Sequence, residues 1–230
     1  MAIYTPGPLA GQISGRLGAS IFSHNRGGPY IRNGTIPTKV TSQYATNIKT
    51  ILAARSAAWQ GLTAAQRLEW VEYARQNPIQ NRLGLQKTLT GHQAYISINH
   101  RLAQAGDTLL SVPPIGGPPD SLTSLSLSLD IGAGDFKASF AATPLAADDR
   151  LWLQAAVLPS AGCTYIGNLL KLIKISDKAQ ATDYDFQADC EARFGALQVN
   201  DRITVVASVF DSATGLLSNP LRASGTVSST

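Results

Sequence analysis

Two glutamates on one predicted helix are the first candidates for catalysis in this sequence. Glu69 and Glu72 lie three residues apart, which places them on the same side of a helix. General acid–base chemistry on two carboxylates needs environments that push their pKa values apart. Arg67 and Arg75 flank the pair instead. The spacing therefore predicts a solvated, charge-paired helix face and no catalytic dyad.

The histidines, cysteines and remaining acids do not match the ligand pattern of a metal site. His92 and His100 are eight residues apart and have no carboxylate at ligand spacing. The two cysteines, Cys163 and Cys190, do not complete a four-ligand zinc site, and we expect two buried thiols in preference to a disulfide. The C-terminal acids Asp183, Asp185, Asp189 and Glu191 lack the spacing of an EF-hand loop. We expect no metal and no cofactor.

Sequence motifs that carry catalysis are missing as well. Gly11, Gly15 and Gly18 do not follow G-x-G-x-x-G spacing, and no G-x-S-x-G, H-E-x-x-H or P-loop pattern occurs. No run approaches the ~20 apolar residues of a membrane helix, so no membrane insertion is expected. We predict a protein without enzymatic activity.

Charge forms the strongest pattern in the sequence. Residues 1–118 carry 11 Lys and Arg against three acidic residues, whereas residues 119–230 carry eight against 12. The first acidic residue of the chain is Glu69. Opposite charge in the two halves indicates two modules with different surroundings. The positive half is suited to nucleic acid or to the acidic face of another protein.

Three kinds of partner are consistent with these residues. The preferred one is a protein surface, and the predicted anchor residues are Arg16, Phe22, Arg26, Tyr30 and Arg32. Basic side chains interleaved with aromatics also suit nucleic acid, and the candidate contacts for it are Lys39, Lys49 and Arg55. A third alternative is a receptor- or glycan-binding adhesin that acts through Trp152 and Tyr165.

The N-terminal segment, residues 1–37, is predicted to form a basic, glycine-rich β-hairpin or extended arm. Two apolar–polar stretches, 12–22 and 29–36, flank a turn in which Gly27 and Gly28 tolerate positive φ. An isolated hairpin buries little apolar surface. The arm therefore needs a partner surface.

Residues 38–111 are predicted to form a three-helix domain, because apolar residues recur there at helical spacing. Gly61 ends the first helix, Asn77 ends the second before a proline, and Gly106 ends the third. Thr63 and Thr90 each precede a glutamine at capping-box spacing. The first helix has an apolar stripe of Tyr44, Ile48, Ile51, Leu52 and Trp59. The expected core contains Trp59, Trp70, Tyr73 and Tyr95.

Residues 112–119 are predicted to form a linker that prolines stiffen, with one flexible point at Gly116 and Gly117. Beyond the linker, apolar and polar residues alternate with the period of a β-strand, most clearly at 203–209. About seven short strands separated by turn residues are typical of an immunoglobulin-like or fibronectin-type sandwich. We predict such an antiparallel sandwich for residues 120–230.

An ordered series of short motifs runs through the N-terminal half. The motifs are Ile13-Ser14-Gly15-Arg16-Leu17-Gly18, Phe22-Ser23-His24-Asn25-Arg26-Gly27-Gly28-Pro29-Tyr30-Ile31-Arg32, Trp59, Leu62-Thr63-Ala64-Ala65-Gln66-Arg67, Trp70, Tyr73-Ala74, Asn81-Arg82-Leu83-Gly84 and Leu89-Thr90-Gly91. Over roughly residues 7–105 the series resembles a group of uncharacterised proteins encoded by tailed bacteriophages and prophages. The stretch 33–38 replaces the Asn-Pro stretch that is usual after Arg32. The genes of this group tend to lie near virion structural genes, so the resemblance implies a part of the particle without known catalysis.

Residues and resemblance together predict an α+β protein of two domains. Its expected function is a non-enzymatic virion structural protein, either a capsid decoration (cement) protein or a tail or neck component. The expected partners are capsid or tail subunits and further copies of the chain, and the expected location is the virion, after synthesis in the host cytoplasm. The alternatives are a DNA-binding or packaging accessory and an adhesin.

Overall fold

The chain is a mixed α+β protein, as predicted. The structure is a computed structural model, and it describes residues 2–4, 12–25, 28–35, 42–81, 83–132, 134–141, 145–158, 162, 166–167, 169–181 and 183–229. These residues form four helices and several antiparallel sheets. They divide into two compact units, Met1–His100 with Ser111–Pro113, and Arg101–Leu110 with Pro114–Thr230.

The first unit begins with a four-stranded antiparallel sheet. Its strands are β1 (Ala2–Ile3), β2 (Gly15–Leu17), β3 (Ser20–Asn25) and β4 (Gly28–Asn33), in the order β1-β4-β3-β2. The predicted hairpin is thus extended on both sides. Gly18, at φ +58°, lets β2 fold back onto β3, and β1 adds to the far edge of β4. The pairing of β1 was not predicted, because two residues carry no periodicity.

Three helices follow, and their predicted ends are confirmed. They are α1 (Gln43–Gln60), α2 (Ala64–Gln76) and α3 (Gly91–Ala105). Both predicted capping boxes are present: the Gln66 backbone N–H donates to Thr63 Oγ1 at 3.2 Å, and the Gln93 N–H donates to Thr90 Oγ1 at 3.1 Å. Between α2 and α3 lies a short hairpin of β5 (Ile79–Gln80) and β6 (Gln86–Lys87), which the sequence did not predict.

The predicted aromatic core of this unit is largely confirmed. Trp70 and Tyr95 are buried, with ring centroids 5.4 Å apart in a T-shaped arrangement. Trp59 contacts Tyr95 at the same centroid distance, and Tyr73 contacts Trp70 at 5.8 Å. The Trp70 indole N–H donates to the Ser111 carbonyl at 3.0 Å, so the largest buried ring keeps its hydrogen bond.

The apolar stripe of α1 behaves differently from the prediction. No residue of α1 is buried, and Tyr44 and Leu52 are 39% and 44% exposed. Periodicity reports that a helix has an apolar side, but it does not report which element covers that side. The stripe meets the core at Trp59, which packs against Tyr95, whereas Tyr44 and Leu52 stay exposed.

The second unit contains two sheets that bury one core between them. The strands are β7 (Ser124–Asp130), β8 (Asp135–Ala141), β9 (Asp149–Leu158), β10 (Lys171–Ile175), β11 (Tyr184–Asp185), β12 (Arg202–Asp211) and β13 (Leu221–Thr226). Their orders are β10-β9-β12-β13 and β11-β8-β7. Inward residues of both sheets, among them Phe136, Leu153 and Val205, form the common core. The longest pairing joins β9 to β12 over their full length, from Asp149↔Asp211 to Leu158↔Arg202.

One helix interrupts the predicted run of strands. α4 (Gln187–Phe194) follows β11, and the Asp185 carboxylate accepts the Gln187 N–H near its start. Phe186, Cys190 and Phe194 recur every fourth residue, a helical signal that the all-β interpretation missed. Cys190 is a free, buried thiol, as expected, whereas Cys163 lies outside the described residues.

Candidate partner-binding surface

The register of the N-terminal sheet places two arginines on either side of an isoleucine. Arg16 of β2 is opposite Ile21 of β3, and Ile21 is opposite Arg32 of β4. Residues directly opposite one another in an antiparallel sheet project from the same face. Neighbouring strands are about 4.8 Å apart, so the two arginine Cα atoms are about 10 Å apart. The sheet therefore displays a row of cation, aliphatic group and cation.

A second row lies beside the first on the same face. Tyr30 is two residues before Arg32 on β4, and Ile3 of β1 is directly opposite Tyr30. We call Ile3, Arg16, Ile21, Tyr30 and Arg32 the cationic face. Arg16 and Arg32 are exposed, and the three other residues are half-buried. The Arg16 Nε–H donates to the Gly18 carbonyl at 2.9 Å, which orients the guanidinium at this edge.

The opposite face of the sheet is aromatic and uncharged at its centre. Phe22 contacts Tyr4 edge to face, with ring centroids 6.2 Å apart, and Ile31 is its neighbour on β4. Gln12 Nε2 lies 2.8 Å from His24 Nδ1 nearby. The predicted anchor residues are therefore divided: Arg16, Tyr30 and Arg32 share one face, and Phe22 belongs to the other.

Two predicted contact residues lie outside the described part of the chain, Arg26 and Lys39. Of the remaining nucleic-acid candidates, Lys49 is exposed on α1. Arg55 is half-buried, and its Nε and Nη1 atoms are buried without a hydrogen-bond partner among the described residues. Burial raises the pKa of Tyr95, and the positive charge of Arg55 opposes this rise. Arg55 therefore lies close enough to the aromatic core for its charge to lower the pKa of Tyr95.

Of the two aromatic residues proposed for an adhesin, Trp152 is not exposed. Trp152 is 7% exposed and packs against Phe210, with ring centroids 5.5 Å apart. Tyr165 lies outside the described residues. Glycan recognition by stacking needs an exposed ring face, and Trp152 does not offer one.

A cluster of carboxylates lies at one end of the second unit, and the sequence did not predict it. Asp149 and Asp211 are directly opposite each other where β9 begins and β12 ends. Asp148 is 64% exposed, with its Oδ1 3.0 Å from Lys178 Nζ. Burial raises the pKa of Asp149, and the carboxylates of Asp211, Asp148 and Asp120 raise it further. We call these four residues the acidic end.

Register explains why the sequence did not reveal this cluster. Asp148 and Asp149 are adjacent in the chain, and Asp211 follows Asp149 by 62 positions, so only the full-length β9–β12 pairing brings Asp211 to the other two. Like charges placed directly opposite in a sheet repel each other. The acidic end is therefore a concentration of negative charge, in which Asp148 pairs with Lys178 and the Asp211 carboxylate accepts hydrogen bonds from the Ala213 N–H and the Thr214 hydroxyl.

The described ranges also bear on metal sites and on membrane spans. Within them, no group of three or more His, Cys, Asp or Glu side chains is arranged to hold a metal ion. Among the helices that the structure describes, none has the length and apolar character needed to cross a membrane.

Comparison of the chain with protein-family models, with curated proteins and with solved structures found no match.

Proposed function

We propose that this chain is a non-enzymatic structural protein of a bacteriophage particle, either a capsid decoration protein or a tail or neck component. Its N-terminal unit anchors it through the cationic face, and its C-terminal unit is displayed at the particle surface. One observation supports this proposal above the others. Two exposed arginines are in register on a sheet in which no described side chain is buried. Sheets of this size gain stability when a partner covers a face.

The C-terminal unit is proposed to be an immunoglobulin- or fibronectin-like sandwich. The supporting features are seven strands among the described residues, arranged in two antiparallel sheets around one core. Two features depart from the simplest form of such a sandwich. α4 lies between β11 and β12, and Ser228, after β13, forms a parallel bridge with Asp130 of β7.

A protein partner fits the cationic face better than duplex DNA does. Ile21 lies between the arginines, and Tyr30 and Ile3 lie beside them. Arginine and tyrosine supply much of the binding energy at protein interfaces, whereas duplex DNA is bound mainly by basic side chains against its phosphates. The candidate nucleic-acid contacts do not reinforce the row, because Lys49 and Arg55 lie on α1.

The test is incorporation into particles of the phage or prophage that encodes the chain. We compare the wild type with R16E/R32E and with a chain that lacks residues 1–37, and we quantify the protein in purified particles by mass spectrometry. We expect strong loss of incorporation in both variants. K49E/R75E is the matched control, because it makes the same charge change at two exposed helical residues.

Undiminished incorporation of both the truncated chain and R16E/R32E would contradict the anchoring role. Equal loss in K49E/R75E would show that overall charge matters and that the face does not. Absence of the wild-type protein from purified particles would disprove the structural role itself.

A further inference from the structure

The cationic face and the acidic end are complementary surfaces that belong to different units of one chain. The first presents Arg16 and Arg32 around Ile21, and the second concentrates the carboxylates of Asp120, Asp148, Asp149 and Asp211. The net charges of the two halves of the sequence agree with this: the N-terminal half is positive and the C-terminal half is negative. Every copy of the chain therefore carries both a donor and an acceptor surface for the same kind of contact.

We propose that the partner of the cationic face is the acidic end of a second copy of this chain, so that copies associate head to tail. This inference rests on the proposed function, since it names the partner of the anchoring face. Arginine guanidinium groups pair with carboxylates through two parallel hydrogen bonds. Asp148 is exposed enough to accept such a pair, and its present partner is the single exposed amine of Lys178.

Two copies that instead joined through the same face would place arginines against arginines. Like charges that face each other are destabilising, and this face carries no carboxylate that would neutralise the arginines. Charge complementarity thus favours the heterologous contact over the two-fold one. A heterologous contact that repeats closes into a ring or continues as a filament, and both arrangements are multi-copy assemblies.

The first experiment measures self-association of the full-length chain by analytical ultracentrifugation over a wide range of protein concentration. We expect concentration-dependent association that weakens as salt rises, because the contact is made by charges near the surface. R16E/R32E and D120R/D148R should each raise the dissociation constant by about tenfold or more. K49E/R75E and E69R/D183R change the same number of exposed charges elsewhere and should leave it nearly unchanged.

The second experiment mixes two neutral variants of the interface, R16Q/R32Q and D120N/D148N, in equal amounts. R16Q/R32Q keeps its acidic end, and D120N/D148N keeps its cationic face, so the mixture contains one intact pair of surfaces and the two neutralised surfaces do not attract each other. We expect each variant alone to stay monomeric and the mixture to form dimers that do not grow further. A contact through identical faces does not give this result.

Several outcomes would overturn the proposal. These are a wild-type chain that is monomeric at every concentration, association that D120R/D148R leaves intact, and a mixture that stays monomeric. Binding of duplex DNA that R16E/R32E abolishes, in a chain that does not self-associate, would also overturn it and assign the face to nucleic acid.

Failure of this inference is separable from failure of the proposed function. If copies do not associate but R16E/R32E still prevents incorporation, the face anchors to another virion protein and the head-to-tail contact is wrong. If copies associate as described but purified particles do not contain this chain, the head-to-tail contact stands and the virion role is wrong.

Discussion

Asp107 and Arg150 form an ion pair within the second unit, with Oδ1 and Nη2 2.8 Å apart. Their side chains are only 8% and 16% exposed, and Arg150 Nη1 also donates to the Ser176 carbonyl at 3.1 Å. Asp107 lies two residues after α3, and Arg150 lies near the start of β9. The pair therefore fastens the segment after α3 to the larger sheet of this unit.

Removal of one partner should be costly, because it leaves the other charge poorly solvated. We expect Asp107→Ala to lower the free energy of unfolding by about 2–4 kcal/mol, measured by chemical denaturation. The control is Glu72→Ala, which breaks the exposed 3.4 Å pair with Arg75 and should cost under about 0.5 kcal/mol. The double variant D107A/R150A should cost less than the two single changes added together. Equal effects of D107A and E72A would contradict the assignment.

Close packing between α2 and α3 leads to a second prediction. A Cβ added at Gly91 would lie 2.8 Å from both the backbone nitrogen and Cγ2 of Val71. Gly91→Ala should therefore destabilise the first unit by about 1–3 kcal/mol, since backbone atoms must move. Gly61→Ala is the matched control, because its nearest neighbour is 3.5 Å away and its φ is −78°. A thermal shift of equal size in both variants would refute the prediction.

The capping box at the start of α2 leads to a third prediction. Thr63 Oγ1 accepts the Gln66 N–H at 3.2 Å, and Gln66 Oε1 accepts the Thr63 N–H at 2.9 Å. Thr63→Ala removes the first bond and should cost about 0.5–2 kcal/mol of stability. Thr63→Ser keeps the hydroxyl and should cost much less. The assignment fails if serine and alanine at this position give the same denaturation midpoint.

The buried thiol of Cys190 predicts a loss of stability at alkaline pH. Burial raises the pKa of Cys190 from its ordinary value of 9.0 to about 12. Above pH 9 the unfolded chain loses this proton while the folded chain keeps it. The thiol therefore favours the folded state fully below pH 9, and this contribution is lost as the pH rises towards 12. We expect Cys190→Ala to make the fall in stability shallower over that range.

Alkylation supplies an independent check on the same thiol. The thiolate is the form that reacts with iodoacetamide. At pH 8 we therefore expect Cys190 to stay unmodified in the folded protein and to be alkylated in the denatured protein. Peptide mapping separates this residue from Cys163. Burial and a hydrogen bond to Asp189 also raise the pKa of Tyr184, so some alkaline loss should persist in Cys190→Ala. Equal alkylation rates in folded and denatured protein would contradict the burial of Cys190.

Local features of this protein were determined by the sequence alone. The ends of α1, α2 and α3 followed from Gly61, Thr63, Asn77, Thr90 and Gly106, because caps act over three or four residues. The strand β12 followed from strict alternation in 203–209. Both kinds of signal are complete within a short window of the chain, so they can be recognised without knowledge of the fold.

The tertiary structure decided which residues share a surface. Arg16, Ile21 and Arg32 form one row only because Gly18 folds β2 back onto β3 and the register of two strand pairs aligns them. A shift of one residue would move every side chain of a strand to the other face, as the separation of Phe22 from its predicted companions shows. Asp149 and Asp211 meet for the same reason, through a pairing between distant parts of the chain. Spacing along the sequence sets the type of each element, but non-local pairing sets its partners and therefore its surfaces.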